Sequence, residues 1–253
     1  LGKYLVGVDH LMAYNPLRYA SFFQSLWTSI RVFYLYLLKT LIPYQLSSDY
    51  SFNQIPIIKN PFLHYEVYIG LVILGTLIYL ILKRKNNILG LSSAIFLFTY
   101  LLVSNWIIKI GTIMGERLMY APSLGLVILV SALSDKLYAL GPKKKKLTAY
   151  SLLLIALFSW YGYVIIDRNN DWKNETALLI SGYEASPNSV VSITGMAYLE
   201  YEKDNYKEAA IRAEEALKIL PDHMPAIFLA GHAYKHLGNL KLAEAAWIRV
   251  IEL

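Results

Sequence analysis

Apolar residues fill long blocks over the first two-thirds of the chain and then give way to a shorter, mixed period. The blocks 21–41, 65–82, 88–108, 118–140 and 147–166 each come close to the ~20 residues an α-helix needs to cross a bilayer. The first also carries Arg31 and Lys39. It reads equally as a span whose Arg31 faces a polar cavity or as a helix lying along the membrane surface, because a central arginine costs about 2.5 kcal/mol or more in lipid. Asn15-Pro16 reads as a turn, and Pro43 ends the first block. The stretch 46–56 has neither helical nor strand period, and its Ser, Asp and Asn residues favour turns. Pro122 falls within the first two turns of its block, where it is expected to remove one backbone bond and loosen the carbonyl near Leu118.

From Val190 onward the sequence turns soluble in character and repeats every 34 residues. Pro187 recurs as Pro221, Ile193 as Ile227, Ala197 as Gly231, Asp204 as Gly238 and Ala209 as Ala243. Small residues where paired helices would cross, with a proline closing each unit, make this a tetratricopeptide period. The stretch 172–187 reads as the second half of a degenerate earlier unit set directly on the last apolar block. The pattern therefore predicts an all-α protein: a polytopic transmembrane helix bundle over 1–168, its N-terminal spans missing, and a tetratricopeptide-repeat solenoid over 169–253. Such solenoids need about three units for stability, so further repeats are expected beyond Leu253. A chain starting on Leu1 rather than Met is expected to be an internal piece of a longer protein.

Composition agrees with the pattern. Hydrophobic residues make up 56% of the chain and charged ones 17%, against about 45–50% and about 25% in soluble domains. The mean hydropathy is +0.40. Tyrosine, at 21 residues, suits bilayer interfaces, where its ring is apolar and its hydroxyl wet. The net charge of +6 is concentrated in two loops, 83–85 and 143–146, each flanked by apolar blocks. That is an orientation signal rather than a nucleic-acid patch, and it predicts that both loops lie on the cytoplasmic face. The stretch 46–56, the turn 110–117 and everything after Asp167 would then share the opposite face. Without cysteine, disulfides, thiol catalysis and cysteine-held metal are excluded.

Between the third and fourth blocks stands SNWIIKIGTIMGERLMYAPSLG, residues 104–125, with the charged pair Glu116-Arg117 at its centre. Ionisable side chains between apolar runs mark a functional site by default. Ser104-Asn105, Gly111, Glu116-Arg117, Tyr120, Pro122-Ser123 and Gly125 resemble the SN…G…ER..Y.PS.G segment of the transmembrane and tetratricopeptide-repeat (TMTC-type) proteins, polytopic protein O-mannosyltransferases of the GT-C class. A second set resembles the same family: Asn15-Pro16-Leu17, Tyr36, Leu37-Leu38, Pro43, Leu46-Ser47 and Asp49-Tyr50-Ser51. Its continuation to Pro56 is most like bacterial members. Asp171-Trp172 with Pro187-Asn188 resembles the junction in these proteins. Lys109 departs from the pattern, standing where a small or apolar residue is expected.

The resemblance implies the C-terminal half of a membrane glycosyltransferase. It would move a sugar, of the mannose type, from a polyprenyl-phosphate donor to a protein hydroxyl on the non-cytoplasmic side. Arg117 suits the donor phosphate, because a guanidinium grips phosphate oxygens bidentately and stays charged. Its place at a helix start adds backbone N–H groups that favour anions. Lys109 and Arg31 are further cations for that role, each also able to snorkel to headgroups. Glu116 cannot face Arg117, since adjacent helical residues point apart; it would hold Arg31 or Lys109 across the bundle, or orient substrate. The competing reading of the pair is an interhelical polar lock. Asp49, Tyr50, Asn105 and Tyr120 would line the site. The acidic catalytic residue is implied to lie upstream, in the first luminal loop, and none is assigned here.

Tetratricopeptide folds bind extended peptides on their concave face. That register places Thr194, Tyr198, Tyr201 and Glu202 in the groove of the first full unit, and Phe228, His232, Lys235 and His236 in that of the second. His232 and His236 are four apart, but no third ligand accompanies them, so they read as groove residues and no metal site is assigned. The expected partners are membrane lipid, the lipid-linked sugar phosphate and an acceptor polypeptide, not nucleic acid. The expected setting is a bacterial inner membrane, or the endoplasmic reticulum in a eukaryote, with the repeats periplasmic or luminal. Two other readings stand beside this one: a non-catalytic, membrane-anchored repeat scaffold for protein–protein interaction, and a transporter or polymerase component handling lipid-linked sugar.

Overall fold

Side-chain caps open several of the helices that these blocks predict. The computed structural model describes residues 12–85, 87–139 and 143–253, with side chains outside 136–150. Helix α1 (Phe22–Leu41) opens on a capping box, in which Ser21 Oγ accepts from Gln24 N and Gln24 Oε1 accepts from Ser21 N. Then come α2 (Tyr65–Lys83) and α3 (Ile88–Leu101), the latter capped by Asn87. A 3-10 turn, Glu116–Met119, leads into α4 (Tyr120–Ala139), and α5 (Lys143–Asp171) leads to α6 (Glu175–Ala185), capped by Asn174. No strand occurs among the described residues. The side chains of the basic run 143–146 lie outside those described.

Three stretches among the described residues are long and apolar enough to cross a membrane: Tyr65–Lys83, Glu116–Asp135 and Ser151–Asp171. The chain is thus an integral membrane protein. The expected span 88–108 is shorter than its apolar run, for α3 stops at Leu101 after 14 residues. At 1.5 Å per residue that is about 21 Å, against a hydrocarbon core of about 30 Å. The cause is local. Ser104 Oγ donates to the Leu101 carbonyl (2.9 Å) and accepts from Trp106 N (3.1 Å). Asn105 then takes φ 60°, a left-handed conformation that stops an α-helix. Pro122 lies within the first two turns of the helical stretch that the 3-10 turn Glu116–Met119 opens and α4 continues.

Helices α1 to α4 pack around the rings of Phe33, Tyr36, Phe96 and Tyr100, all fully buried or nearly so, with centroids 5.1–6.1 Å apart. At Gly125, α4 approaches α3 so closely that a Cβ would lie 2.4 Å from the backbone nitrogen of Phe96. No larger residue fits there without moving a helix. In contrast, α5 stands apart, with none of its membrane window buried. Tyr161 ties it to the end of α1 by donating to the Thr40 carbonyl (2.6 Å).

Beyond α6, helices α7 (Val190–Glu202), α8 (Tyr206–Ile219), α9 (Met224–His236) and α10 (Leu240–Glu252) form two antiparallel pairs. Their starts recur 34 positions apart, Val190 with Met224 and Tyr206 with Leu240. The crossings close on Ala197, Ala209, Ala213 and Ala243, each 0–1% exposed. This geometry is compatible with a tetratricopeptide solenoid. The pairs sit directly on the bundle. Phe52 N donates to the Ala13 carbonyl (2.8 Å), and Asn53 N to the Asn188 carbonyl (3.1 Å). Ala13 packs with Val190, Ile193 and Ala226. The loops 42–64 and 102–115 therefore share one end of the bundle with the helix pairs, opposite the α2–α3 turn.

Candidate functional site

Asn105, 1% exposed, closes the loop that follows α3. Its Oδ1 accepts from Asn15 Nδ2 and from Ile110 N, both at 2.9 Å, while its Nδ2 donates to the carbonyls of Thr112 (3.1 Å) and Ile113 (3.2 Å). Asn15 in turn caps the 3-10 turn Pro16–Arg18 through Leu17 N and donates to the Ile110 carbonyl at 2.7 Å. Gly115 N donates to the Tyr36 hydroxyl (2.8 Å). Next, Glu116 turns inward. Its Oε1 accepts from the Tyr50 hydroxyl (2.5 Å) and from Ser47 N (2.8 Å), and its Oε2 lies 3.9 Å from the Arg168 guanidinium. Arg168 also pairs with Asp171 at 2.7 Å. Burial, and after it the Glu116 charge, pushes the Tyr50 phenol well above the usual tyrosine range, so it stays a donor. Asp49 accepts from Ser51 N (3.0 Å), the Ser51 hydroxyl and the Ser189 hydroxyl (2.8 Å), which pins the loop to the start of α7. The residues that stand out in the two sequence segments are thus largely each other's partners.

Arg117 is the exception. It is exposed, and among the described residues it makes no hydrogen bond or ion pair. Its side chain borders two cavities. One, of about 340 Å³, also has Tyr36, Lys39, Met114, Met119 and Ser123 in its wall. The other, of about 630 Å³, also has Tyr14, Asp49, Gly111 and Leu118. Lys39 Nζ donates to the carbonyls of Tyr44 (3.2 Å) and Gln45 (2.8 Å), which leaves its third proton for a ligand. Two cations beside apolar side chains suit a phosphate with an apolar tail. Tyr120, 89% exposed, sits on the rim.

Two of the expected cations are not brought there. Arg31 pairs with Glu66 of α2 at 3.3 Å. Lys109 donates to the Asn105 carbonyl and steadies the loop, and burial lowers its pKa. Neither holds Glu116, whose partners are Tyr50, Ser47 and Arg168. Lys39 and Arg168 were not singled out from the sequence. Each lies near the end of an apolar block, where a cation ordinarily snorkels, and only the fold brings it to Glu116 and Arg117.

The groove of the helix pairs, about 670 Å³, is lined by Thr194, Tyr198, Tyr201, Phe228 and His232, together with Tyr14 from ahead of α1. Glu202 and Lys235 are exposed and outside its lining. The Glu202 carboxylate, above all, raises the Tyr198 phenol, with burial and Glu175 adding to it. His236 stacks on Tyr206 at 4.2 Å and lies 3.2 Å from the Tyr201 hydroxyl. His232 meets the Phe228 ring edge-on at 4.4 Å. Both imidazoles are thus engaged by aromatic rings. Tyr14 had no signal in the sequence, since its place in the groove depends on the loop contacts that carry it there.

Comparison with known proteins shows where the likeness lies. Protein O-mannosyl-transferase tmtc2 of Xenopus laevis is 32% identical over 108 residues, 42% of this chain and 13% of the relative. Protein O-mannosyl-transferase TMTC1 of Homo sapiens is 27% identical over 237 residues, 87% of this chain and 26% of the relative. Protein O-mannosyl-transferase TMTC3 of Mus musculus is 24% identical over 216 residues, 82% of this chain and 23% of the relative. The chain spans about a quarter or less of the length of these relatives. No family model matches it, and no solved structure matches it significantly.

Proposed function

We propose, from the premise that the chain is a relative of the TMTC-type protein O-mannosyl-transferases, that it forms the donor- and acceptor-holding part of a membrane glycosyltransferase. The enzyme takes a sugar, of the mannose type, from a polyprenyl phosphate and joins it to a polypeptide hydroxyl on the non-cytoplasmic side. One observation carries this reading: among the described residues Arg117 makes no hydrogen bond or ion pair, in a frame whose other polar residues bind one another, and it borders the cavity that Lys39 shares. In the reaction the acceptor oxygen bonds to the anomeric carbon as the bond from that carbon to the phosphate oxygen breaks. The phosphate leaves with added negative charge, which Arg117 and Lys39 would stabilise in place. Tyr36, Met114 and Met119 would take the first part of the apolar tail.

The hydroxyl proton needs a base. Glu116 and Asp49 are both committed to hydrogen bonds, so the reading places the base in a loop upstream of this chain. That same commitment is the observation that favours the second reading, a membrane-anchored scaffold, since among the described residues both carboxylates at the two cavities beside Arg117 are engaged. The experiment is sugar transfer by the full-length protein from synthetic polyprenyl-phosphate mannose to a serine/threonine peptide. Arg117→Ala should lower transfer on the order of 100-fold while leaving the melting temperature unchanged. Wild-type protein that neither binds the donor nor transfers would establish the scaffold instead.

A further inference from the structure

The groove in the helix pairs and the cavity at Arg117 are linked by shared wall residues. Tyr14 lines both the groove and the chamber of about 630 Å³. That chamber shares Met114 and Arg117 with the cavity holding Lys39. The segment bearing Tyr14 is fixed from both sides: its carbonyl accepts from Ile113 N (3.0 Å), and the Ala13 carbonyl accepts from Phe52 N (2.8 Å). The junction is therefore built into the fold, because the loop around Phe52, which bonds to Asn188 and Val190 of the helix pairs, also holds the segment bearing Tyr14.

We infer that the groove and the middle chamber form one binding path for an extended polypeptide, which enters along Tyr198 and Phe228, turns past Tyr14 and places a serine or threonine hydroxyl beside Arg117, at the edge of the donor's cavity. This rests on the acceptor reading above and adds the route and the side chains it admits. The occupant follows from the walls. A lipid tail suits Val103, Ile110, Leu118 and Val191 of the middle chamber, but the groove beyond it lies in the helix pairs, outside the membrane-spanning stretches, and mixes its apolar walls with the hydroxyls of Thr194, Tyr198 and Tyr201 and the carboxylate of Glu175, which a polypeptide backbone can use and a tail cannot. A polypeptide suits both halves. Its residues must be small where they pass Gly111, and a basic side chain at its trailing end meets the carboxylate of Glu175. Bulky residues next to the hydroxyl are excluded.

Gly111 is the place to block the path. It is exposed, and a Cβ added there meets nothing within 4 Å, so Gly111→Leu fills the chamber without displacing the protein. The measurement is fluorescence anisotropy on the full-length protein in detergent with two labelled peptides. One of about six residues spans the groove alone, and one of about twelve carries a threonine to Arg117; extended, they cover about 20 and 40 Å. Wild type should bind the longer peptide about tenfold tighter than the shorter. Gly111→Leu should keep the melting temperature and the affinity for the shorter peptide but lose the advantage of the longer one, and Gly111→Ser should keep it. Tyr198→Ala should weaken both peptides. The path is overturned if the longer peptide keeps its advantage in Gly111→Leu, or has none in wild type while Tyr198→Ala still weakens binding. Wild type that binds neither peptide would overturn the acceptor reading along with it.

Discussion

Neighbouring positions on a helical turn point apart, and Glu116 and Arg117 divide two roles by that divergence. Glu116 turns in to Tyr50, Ser47 and Arg168; Arg117 turns out to two cavities and to no partner among the described residues. Stability and ligand binding should therefore separate by residue. Tyr50→Phe removes the hydrogen bond to the Glu116 carboxylate, and with it the one accepted from Ser47 N, and should cost about 1.5–3 kcal/mol. At about 2–4 °C per kcal/mol for a chain of this size, thermal melting in detergent should fall by several degrees. Arg117→Ala should leave it unchanged, and a larger loss from Arg117→Ala than from Tyr50→Phe would contradict this division. Arg117 was legible in the sequence because a charge between apolar blocks has few ordinary explanations. Lys39 was not, because a lysine at the end of such a block has a common one. Asn105 was legible as a member of a motif, but its left-handed backbone, φ 60°, depends on bonds to Asn15 and Ile110 that exist only once the loop has closed.

At the scale of elements, the 34-residue period foretold the helix pairs because small residues recur where backbones must cross. Ala209 and Ala243 are 0% and 1% exposed. Ala209→Leu adds three carbons to a filled crossing and should cost about 1–3 kcal/mol, read as a lower midpoint in urea unfolding. Ile211→Ser, two positions on at a site 48% exposed, should move the midpoint little. Equal shifts for the two would mean that the crossing is not packed as described. The end of α3 was not legible. Ile107 and Ile108 prolong the apolar run yet are each 71% exposed, and the stop lies in Ser104 and Asn105, whose effect is local bonding and not polarity alone.

Over the whole molecule, three of the five hydrophobic blocks became stretches long and apolar enough to cross a membrane, but the blocks did not tell that the helix pairs seat directly on the loops beside Arg117. That contact is made by backbone bonds of Phe52 and Asn53 with Val190 and Asn188 and by the packing of Ala13, in segments without any period. The account turns on Arg117 gripping two phosphate oxygens of a polyprenyl-linked sugar. Arg117→Lys keeps the charge and loses the fork, so the direct measurement is a calorimetric titration of synthetic polyprenyl-phosphate mannose into full-length wild-type and Arg117→Lys protein in detergent, with melting temperatures alongside. A charge-assisted bond contributes about 1.5–3 kcal/mol, so donor affinity should fall about 10- to 150-fold at an unchanged melting temperature. Equal donor affinity in a well-folded Arg117→Lys protein would contradict the account.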